Sequence, residues 1–302
     1  MIYIVRLGNS GLKISRLILG CMSYGSPEWQ AWVLPEEEGI KHIKAAYDAG
    51  INTFDTANVY SSGLSEQHNI PREDIVILTK VYFPVGKTLA ENGITNTDDS
   101  TFINRRGLSR KHIFDSIKAS LERLQLDYVD VLQCHRFDYD TPIEETMQAL
   151  HEVVKAGYAR YIGMSSCFAY QSYAIQNKLT PFISMQNNYS LAYREEEREM
   201  FPTLKHFGVG SIPWSPLARG LLSRPVAEQS KRGQTDRQSP HRDCTSVEEI
   251  AKKEECVSAP IIGTTVLDNL YELIDALDIQ LSEEEMKSLE EPYLPRAVVG
   301  HV

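Results

Sequence analysis

Short β-rich runs alternate with stretches of helical period along almost the whole chain, and this alternation constrains the fold more than any other feature. The β-rich runs are "LILGCM", "NTFDTA", "IVILTKV", "YVDVLQCH", "YIGMSS", "FISMQNNY", "GSIPWSP" and "APIIGTT". Between them lie helical segments. Glu36 to Ala49 carries Ile40, Ile43, Ala46 and Tyr47 on one face and stops at Gly50. Lys111 to Leu126 repeats apolar residues at Ile113, Ile117, Leu121 and Leu124, and Ile143 to Ala156 closes at Gly157. "AYQSYAIQNK", "EEEREMFPTLKHFG" with a break at Pro202, "SVEEIAKKEE" and "LDNLYELIDAL" follow. A last helix, "SEEEMKSLEE", opens with the Ser-x-x-Glu of a capping box. Strands that alternate with helices pair in parallel. Eight such units in 302 residues match a (β/α)8 TIM barrel, read here as one domain over 1–302. A doubly wound sheet would place a glycine-rich phosphate loop after an early strand, and "LGCMSYG" is not that fingerprint. Ahead of the first unit, "IYIVRLGNSGLKISRLIL" reads as a β-hairpin around Gly-Asn-Ser-Gly.

Composition removes several function classes. A net charge of −10 argues against a nucleic-acid partner, which would call for a basic patch. No apolar run reaches the roughly 20 residues of a bilayer span, so no membrane partner is expected. "MIYIVRLGNSG" lacks the build of a signal peptide. The five cysteines are scattered singly with no C-x-x-C pair, as expected for reduced thiols in the cytoplasm. Cys134 and His135 are neighbours on a strand and point to opposite faces, which rules out a nucleophile–base pair. Of the eight histidines only His135 ends a strand, so no metal site is expected.

Barrels of this kind carry their active site at the C-terminal ends of the strands. The polar residues there are Asp55, Lys80, His135, Ser165, Ser166, Gln186, Asn187, Trp214, Ser215, Thr264 and Thr265, with Tyr60 in the loop after Asp55. Each alone has an ordinary explanation as a turn, cap or packing residue. Together, Asp55, Tyr60, Lys80 and His135 make a coherent set. A tyrosine is a poor acid near neutral pH. A nearby ammonium, here Lys80, lowers its pKa. Asp55 is placed to hold Lys80 charged and aimed, and His135 to hydrogen-bond a substrate oxygen. A proton donor and a hydrogen-bond donor at one carbonyl oxygen suit carbonyl reduction.

The motifs "GINTFDTANVYSSG", "ILTKV", "YVDVLQCHRFD", "GYARYIGMSS", "MQNNYS", "PWSPLARG" and "PIIGTT" span most of the chain. In these it resembles the aldo-keto reductase superfamily, and within it the fungal reductases of secondary metabolism of the norsolorinic-acid and versiconal hemiacetal acetate reductase type. The resemblance implies a (β/α)8 barrel closed at its base by the hairpin, and NADPH bound without a Rossmann domain. It implies Tyr60 as general acid, Lys80 and Asp55 as its tuning pair, and His135 as the residue that orients the carbonyl of a small-molecule substrate. It further implies a cofactor site. Cys21, Met22 and Asp55 belong to it, and Ser165, Ser166 and Gln186 lie at the carboxamide. Trp214 stacks on the nicotinamide ring, and Ser215, Leu217 and Arg219 follow the pyrophosphate. Gly263, Thr265, Asn269 and Glu272 lie at the adenosine. The same fold also serves as a cofactor-binding regulatory subunit in potassium channels, which is the alternative to an enzyme.

The scaffold departs from the family in three places. Where a helix of pattern S-E-x-x-L-G-x-A-L is expected between the second and third strands, "SEQHNIPRED" leads directly into the third, and Ser65 to Asn69 contains no apolar residue. A second helix is missing before the eighth strand, where "VSAPIIG" follows "EEIAKKEEC". The segment between "SSCFAYQ" and "NKLTPF" is also short. Such losses predict exposed apolar barrel surface, at roughly 25 cal/mol per Å², unless a partner or a neighbouring segment covers it. A truncated, poorly folding product is the third possibility. The long polar loop from Ser223 to Thr245 is the best candidate for a mobile lid or a disordered segment.

Overall fold

The computed structural model describes residues 3–66, 71–88, 94, 102–165, 169–223 and 257–298. Ile4–Arg6 (β1) and Lys13–Ser15 (β2) form the antiparallel hairpin. Its Leu7 and Ile14 are buried against the barrel interior, in one cluster with Ile18, Val76, Leu78, Val131, Ile212 and Ile261. The hairpin therefore plugs the base of the barrel. Gly8 makes this close docking possible. It has φ +56°, and a Cβ there would lie 2.6 Å from Gly208 O, 2.7 Å from Gly210 N and 2.8 Å from Ile183 O, all backbone atoms. Gly8→Ala is expected to destabilise the fold by roughly 1–3 kcal/mol, the usual penalty of overpacking. Gly11→Ala, whose nearest neighbour would be Tyr161 Oη at 4.0 Å, should be close to neutral. Urea unfolding of both variants checks this.

Ile18–Gly20 (β3) begins the barrel. Tyr24–Gly25 (β4) and Leu34–Pro35 (β5) pair in parallel and fold the intervening loop, and Glu36–Asp48 (α1) follows. The remaining strands are Thr53–Asp55 (β6), Val76–Val81 (β7), Val129–Cys134 (β8), Ala159–Met164 (β9), Phe182–Met185 (β10), Gly210–Ser211 (β11) and Ile261–Ile262 (β12). The helices are Arg110–Leu124 (α2), Ile143–Lys155 (α3), Ala169–Gln176 (α4), Met200–Phe207 (α5), Leu267–Asp275 (α6) and Glu283–Glu290 (α7). One eight-stranded sheet runs β11-β10-β9-β8-β7-β6-β3-β12, and its paired strands are parallel. Its edges meet where Trp214, just past β11, bridges to Ile261 in β12, with Ile261 N donating to Pro213 O at 2.8 Å. The closed barrel turns alternate residues inward. Val76, Leu78 and Lys80 of β7 face the interior, while Ile77 and Val81 face the helical shell. The expected capping box is present at Ser282 and Glu285.

Two helical expectations change. The buried face of α1 is Gly39, His42, Ile43 and Ala46, while Ile40 is 46% exposed. The cause is at Gly39, where a Cβ would lie 2.8 Å from Tyr24 Cβ. The helix rests its bare position on the Tyr24 side chain, and this rotates Ile40 outward. The Glu-rich segment breaks ahead of Pro202 rather than at it. Glu195–Glu197 is a single 3₁₀ turn, and α5 starts at Met200, so Pro202 sits in a first turn where its missing N–H is not needed.

The shortened crossover between β6 and β7 holds 3₁₀ turns at Tyr60–Glu66 and Arg72–Asp74 and no α-helix among its described residues. The outward residues Phe54, Ile75 and Ile77 nonetheless remain buried. They belong to one buried cluster with Ile43 and Ala46 of α1 and Ile117 and Leu121 of α2. The turn after Tyr60 lies on α2 so closely that a Cβ at Gly63 would sit 2.6 Å from Arg123 Cδ. The second shortening, the helix "SVEEIAKKEE" and nearly all of the candidate lid lie outside the described residues.

Candidate active site

Lys80 is wholly buried on β7 and points into the barrel mouth. Its Nζ donates to Asp55 Oδ2 at 2.5 Å, to Thr56 O at 2.8 Å and to Tyr60 Oη at 3.2 Å. An ammonium has three donors, and all three are used. The other Asp55 oxygen, Oδ1, accepts from Gln133 Nε2 at 3.0 Å and Gln186 Nε2 at 2.8 Å. A buried ion pair persists only when its remaining valences are met, and here they are. Gln133 is brought in by register: it lies opposite Lys80 on β8 and faces inward two residues after Val131.

Tyr60 opens the 3₁₀ turn beyond β6 and is buried. The two residues after it, Ser61 and Ser62, hold left-handed backbone at φ 47° and 51°. Ser61 Oγ then accepts from Ser26 N at 3.2 Å and donates to Tyr24 O at 3.4 Å. This fastens the β4–β5 loop over the site. Trp29 of that loop lies with its ring 6.3 Å from Tyr60, its Nε1 buried without a partner. His135 follows β8, and its N donates to Val81 O at 2.9 Å. Its ring meets Tyr60 edge-on at 5.9 Å and Phe83 at 5.1 Å. Its Nδ1 is sealed off with no partner. An unmet N–H is rarer in a protein interior than an unmet lone pair, so the proton belongs on Nε2.

The electrostatics sharpen the roles. Burial works against the Lys80 ammonium, but Asp55 and Tyr60 prevail and its pKa is raised. Burial, with Lys80 and Arg136 adding to it, pushes His135 well below the ordinary histidine range, so it is neutral at pH 7. For Tyr60 the expectation of a lowered pKa is reversed. Burial raises it, and the opposing pull of Lys80 offsets only part of the rise. Tyr60 therefore holds its proton until something more basic, such as an alkoxide, is formed beside it.

The structure brings Asp55, Tyr60, Lys80 and His135 together. The described cofactor candidates follow the C-terminal ends of the strands or lie in α6. Ser165 Oγ donates to Gln186 O at 2.6 Å. Gln186 spends its amide hydrogens on Asp55 and on Gln133 Oε1, 3.2 Å away, and leaves its own carbonyl as the open end. Trp214 is half-buried, with the Arg219 guanidinium 5.7 Å from its ring centre. Ser215 and Leu217 are half-buried in the same loop, where Ser215, Ala218 and Arg219 all have positive φ. With Ser61 and Ser62, these are five of the seven non-glycine residues of positive φ among those described. Backbone strain thus concentrates at the mouth, as it does at functional sites. Gly263 and Glu272 are exposed and Thr265 and Asn269 half-buried around the start of α6, which has no side-chain cap. Cys21 is buried after β3 with Met22 beside it. Burial raises the Cys21 thiol pKa, with Asp55 adding to the rise, so it stays protonated. Ser166 lies outside the described residues. Gln133, Trp29 and Arg136 are the site residues the motif reading missed. Gln133 was accessible from the alternation of "VDVLQC", whereas Trp29 arrives only through a loop folded back by tertiary contacts.

Among the described residues no group of three or more His, Cys, Asp or Glu is arranged to hold a metal ion, and no helix is long and apolar enough to cross a membrane.

Comparison with known proteins gives the family. A sequence profile described as the Aldo/keto reductase family matches residues 16–258. A Schizosaccharomyces pombe protein provisionally named an aryl-alcohol dehydrogenase is 46% identical, covering 98% of this chain and 97% of its own length. The versiconal hemiacetal acetate reductase of Aspergillus parasiticus is 45% identical, covering 97% of each chain. The first of these alignments runs over 341 positions against a chain of 302, so at least 39 of them have no counterpart here. The chain is thus shorter than this relative across the aligned region. A solved aldo-keto reductase from Bacillus halodurans, in a holo form, superposes with a TM-score of 0.77 at 28% identity, covering 100% of this chain and 99% of that one. The chain belongs to the aldo/keto reductase family.

Proposed function

We propose that this chain reduces an aldehyde or ketone to an alcohol with a reduced nicotinamide dinucleotide, Tyr60 delivering the proton. The observation that carries this is the Lys80 ammonium bonded to both Asp55 and Tyr60, with the neutral His135 ring edge-on to the same phenol. The names of the two fungal relatives, one a reductase and one an alcohol dehydrogenase, support the same reaction. The mouth fits the cofactor. The half-exposed Trp214 offers a flat face to a flat ring, the free carbonyl of Gln186 suits a carboxamide N–H, and the uncapped start of α6 suits a phosphate. We take NADPH as the form used. Asp268 and Glu272 give the start of α6 no cation for a 2′-phosphate, which leaves Arg219 as the described candidate.

The cofactor supplies the hydride. The protein's part is to hold and move a proton. His135 Nε2 donates to the substrate carbonyl oxygen and fixes it beside Tyr60 Oη. As charge develops on that oxygen, Tyr60 transfers its proton, and Lys80 stabilises the phenolate left behind. Asp55 keeps Lys80 in place. Trp29, Phe83 and Tyr60 wall the mouth with aromatic rings and favour a flat, aromatic carbonyl compound.

The pH profile tests this reading. Tyr60 must be protonated to act, and its pKa lies above the ordinary 10.0. His135 must be neutral, and its pKa lies well below 6.5. Steady-state reduction of benzaldehyde should therefore stay flat from about pH 7 to pH 9 and fall only as pH rises past about 10. A fall centred near neutral pH would assign the proton to a different group.

A further inference from the structure

One charged side chain at the mouth has no task in the reaction just described. Arg136 follows His135 directly and is half-buried. Its Nη1 donates to His135 O at 2.8 Å, and among the described residues no carboxylate meets its guanidinium. It interacts electrostatically with the phenols of Tyr60 and Tyr82, and burial lowers its pKa without displacing its charge. A second guanidinium, Arg106, lies 5.7 Å from the centre of the Tyr82 ring. Charged side chains are rarely buried without a counter-ion, because desolvation is then uncompensated. Lys80 illustrates the rule, since it has Asp55. Arg136 has a single carbonyl oxygen and several N–H groups to spare, in a fork whose geometry suits a carboxylate or an ionised phenol.

We propose that Arg136 is the counter-charge for an anionic oxygen carried by the substrate, so that the preferred substrate is an aromatic carbonyl compound bearing a carboxylate or an ionised phenol. The inference deepens the reductase reading and rests on it for the word substrate. The anion site itself stands on the geometry. Tyr60 presents the acid, the aromatic walls hold the ring, and Arg136, anchored on the backbone oxygen of His135, has N–H groups left to receive a charged group on the same molecule. A neutral carbonyl compound occupies the mouth without meeting this charge. An anionic one gains a charge-assisted contact in a partly desolvated place, where such contacts are strongest.

The test separates the anion site from turnover. Binding of benzoate and of benzyl alcohol to the NADPH-bound protein is followed by tryptophan fluorescence, in the wild type, Arg136→Gln and Arg136→Lys. Wild type should bind benzoate at least about tenfold more tightly than benzyl alcohol, Arg136→Gln should lose that preference, and Arg136→Lys should keep part of it. In parallel, kcat/KM is measured for 4-carboxybenzaldehyde and for its methyl ester. Taking the ratio of the two cancels any general loss caused by the substitution, including any effect on Tyr60. The ratio should favour the acid in wild type and approach one in Arg136→Gln. The proposal is overturned if wild type shows no preference for the anion in binding, or if Arg136→Gln lowers both substrates equally with the ratio kept. If benzoate discrimination is present and depends on Arg136 while no aldehyde is reduced, the anion site stands and the reductase reading falls.

Discussion

Tyr60→Phe is expected to lower kcat for aldehyde reduction by about 10²–10⁴-fold, the range of general acid catalysis, with little change in cofactor affinity. The substitution removes one oxygen. It keeps the ring against Trp29 and His135, so the walls of the site survive. It deletes the proton donor and one of the three acceptors of Lys80 Nζ. Lys80 retains Asp55 and Thr56 O, so the buried charge stays paired and stability should change by about 1 kcal/mol or less. A large kinetic loss with a small loss of stability is the signature of a residue that acts on the reacting atoms. Steady-state kinetics and urea unfolding on the same preparation measure both. Equal rates in wild type and variant would remove Tyr60 from the mechanism.

Lys80→Met should show the opposite balance, with both quantities falling. Asp55 is buried, and without the ammonium its Oδ2 faces an apolar side chain while only Gln133 and Gln186 remain on Oδ1. Removing one partner of a buried ion pair costs about 3–5 kcal/mol, because the other charge is left uncompensated. Replacing both partners by groups of similar shape is far milder. The double variant Asp55→Asn, Lys80→Met should therefore recover most of the stability lost in Lys80→Met and none of the activity. If the single variant is as stable as wild type, the ion pair does not organise the mouth as described.

Much of this arrangement was legible in the sequence, for identifiable reasons. Strand runs with inward and outward faces, helix stops at Gly50 and Gly157, and the hairpin around Gly8 depend on local chemistry, and each forms where it was expected. Asp55, Lys80 and His135 were legible because a strand end in a parallel barrel fixes where a side chain goes. The misreadings are tertiary. Ile40 belongs to the apolar stripe of α1 by spacing, yet Gly39 seats the helix on Tyr24 and turns Ile40 to solvent. The shortened crossover left open whether the barrel surface there is bare or covered, and Phe54 and Ile77 are buried. The direction of the Tyr60 pKa shift was misjudged because proximity to Lys80 is visible in a motif and the depth of burial is not. Trp29 lies by Tyr60 in a loop that Ser61 ties down at Ser26, a contact between residues far apart in sequence.

The central claim is that this mouth turns over a carbonyl compound rather than merely holding a cofactor. The most direct measurement is the amount of alcohol formed per protein chain in a closed reaction with excess NADPH and benzaldehyde. Many molecules of benzyl alcohol per chain, matched by an equal amount of NADPH consumed, is the predicted result. One molecule or fewer per chain, from protein that binds NADPH, would contradict the account and leave the barrel as a cofactor-binding module.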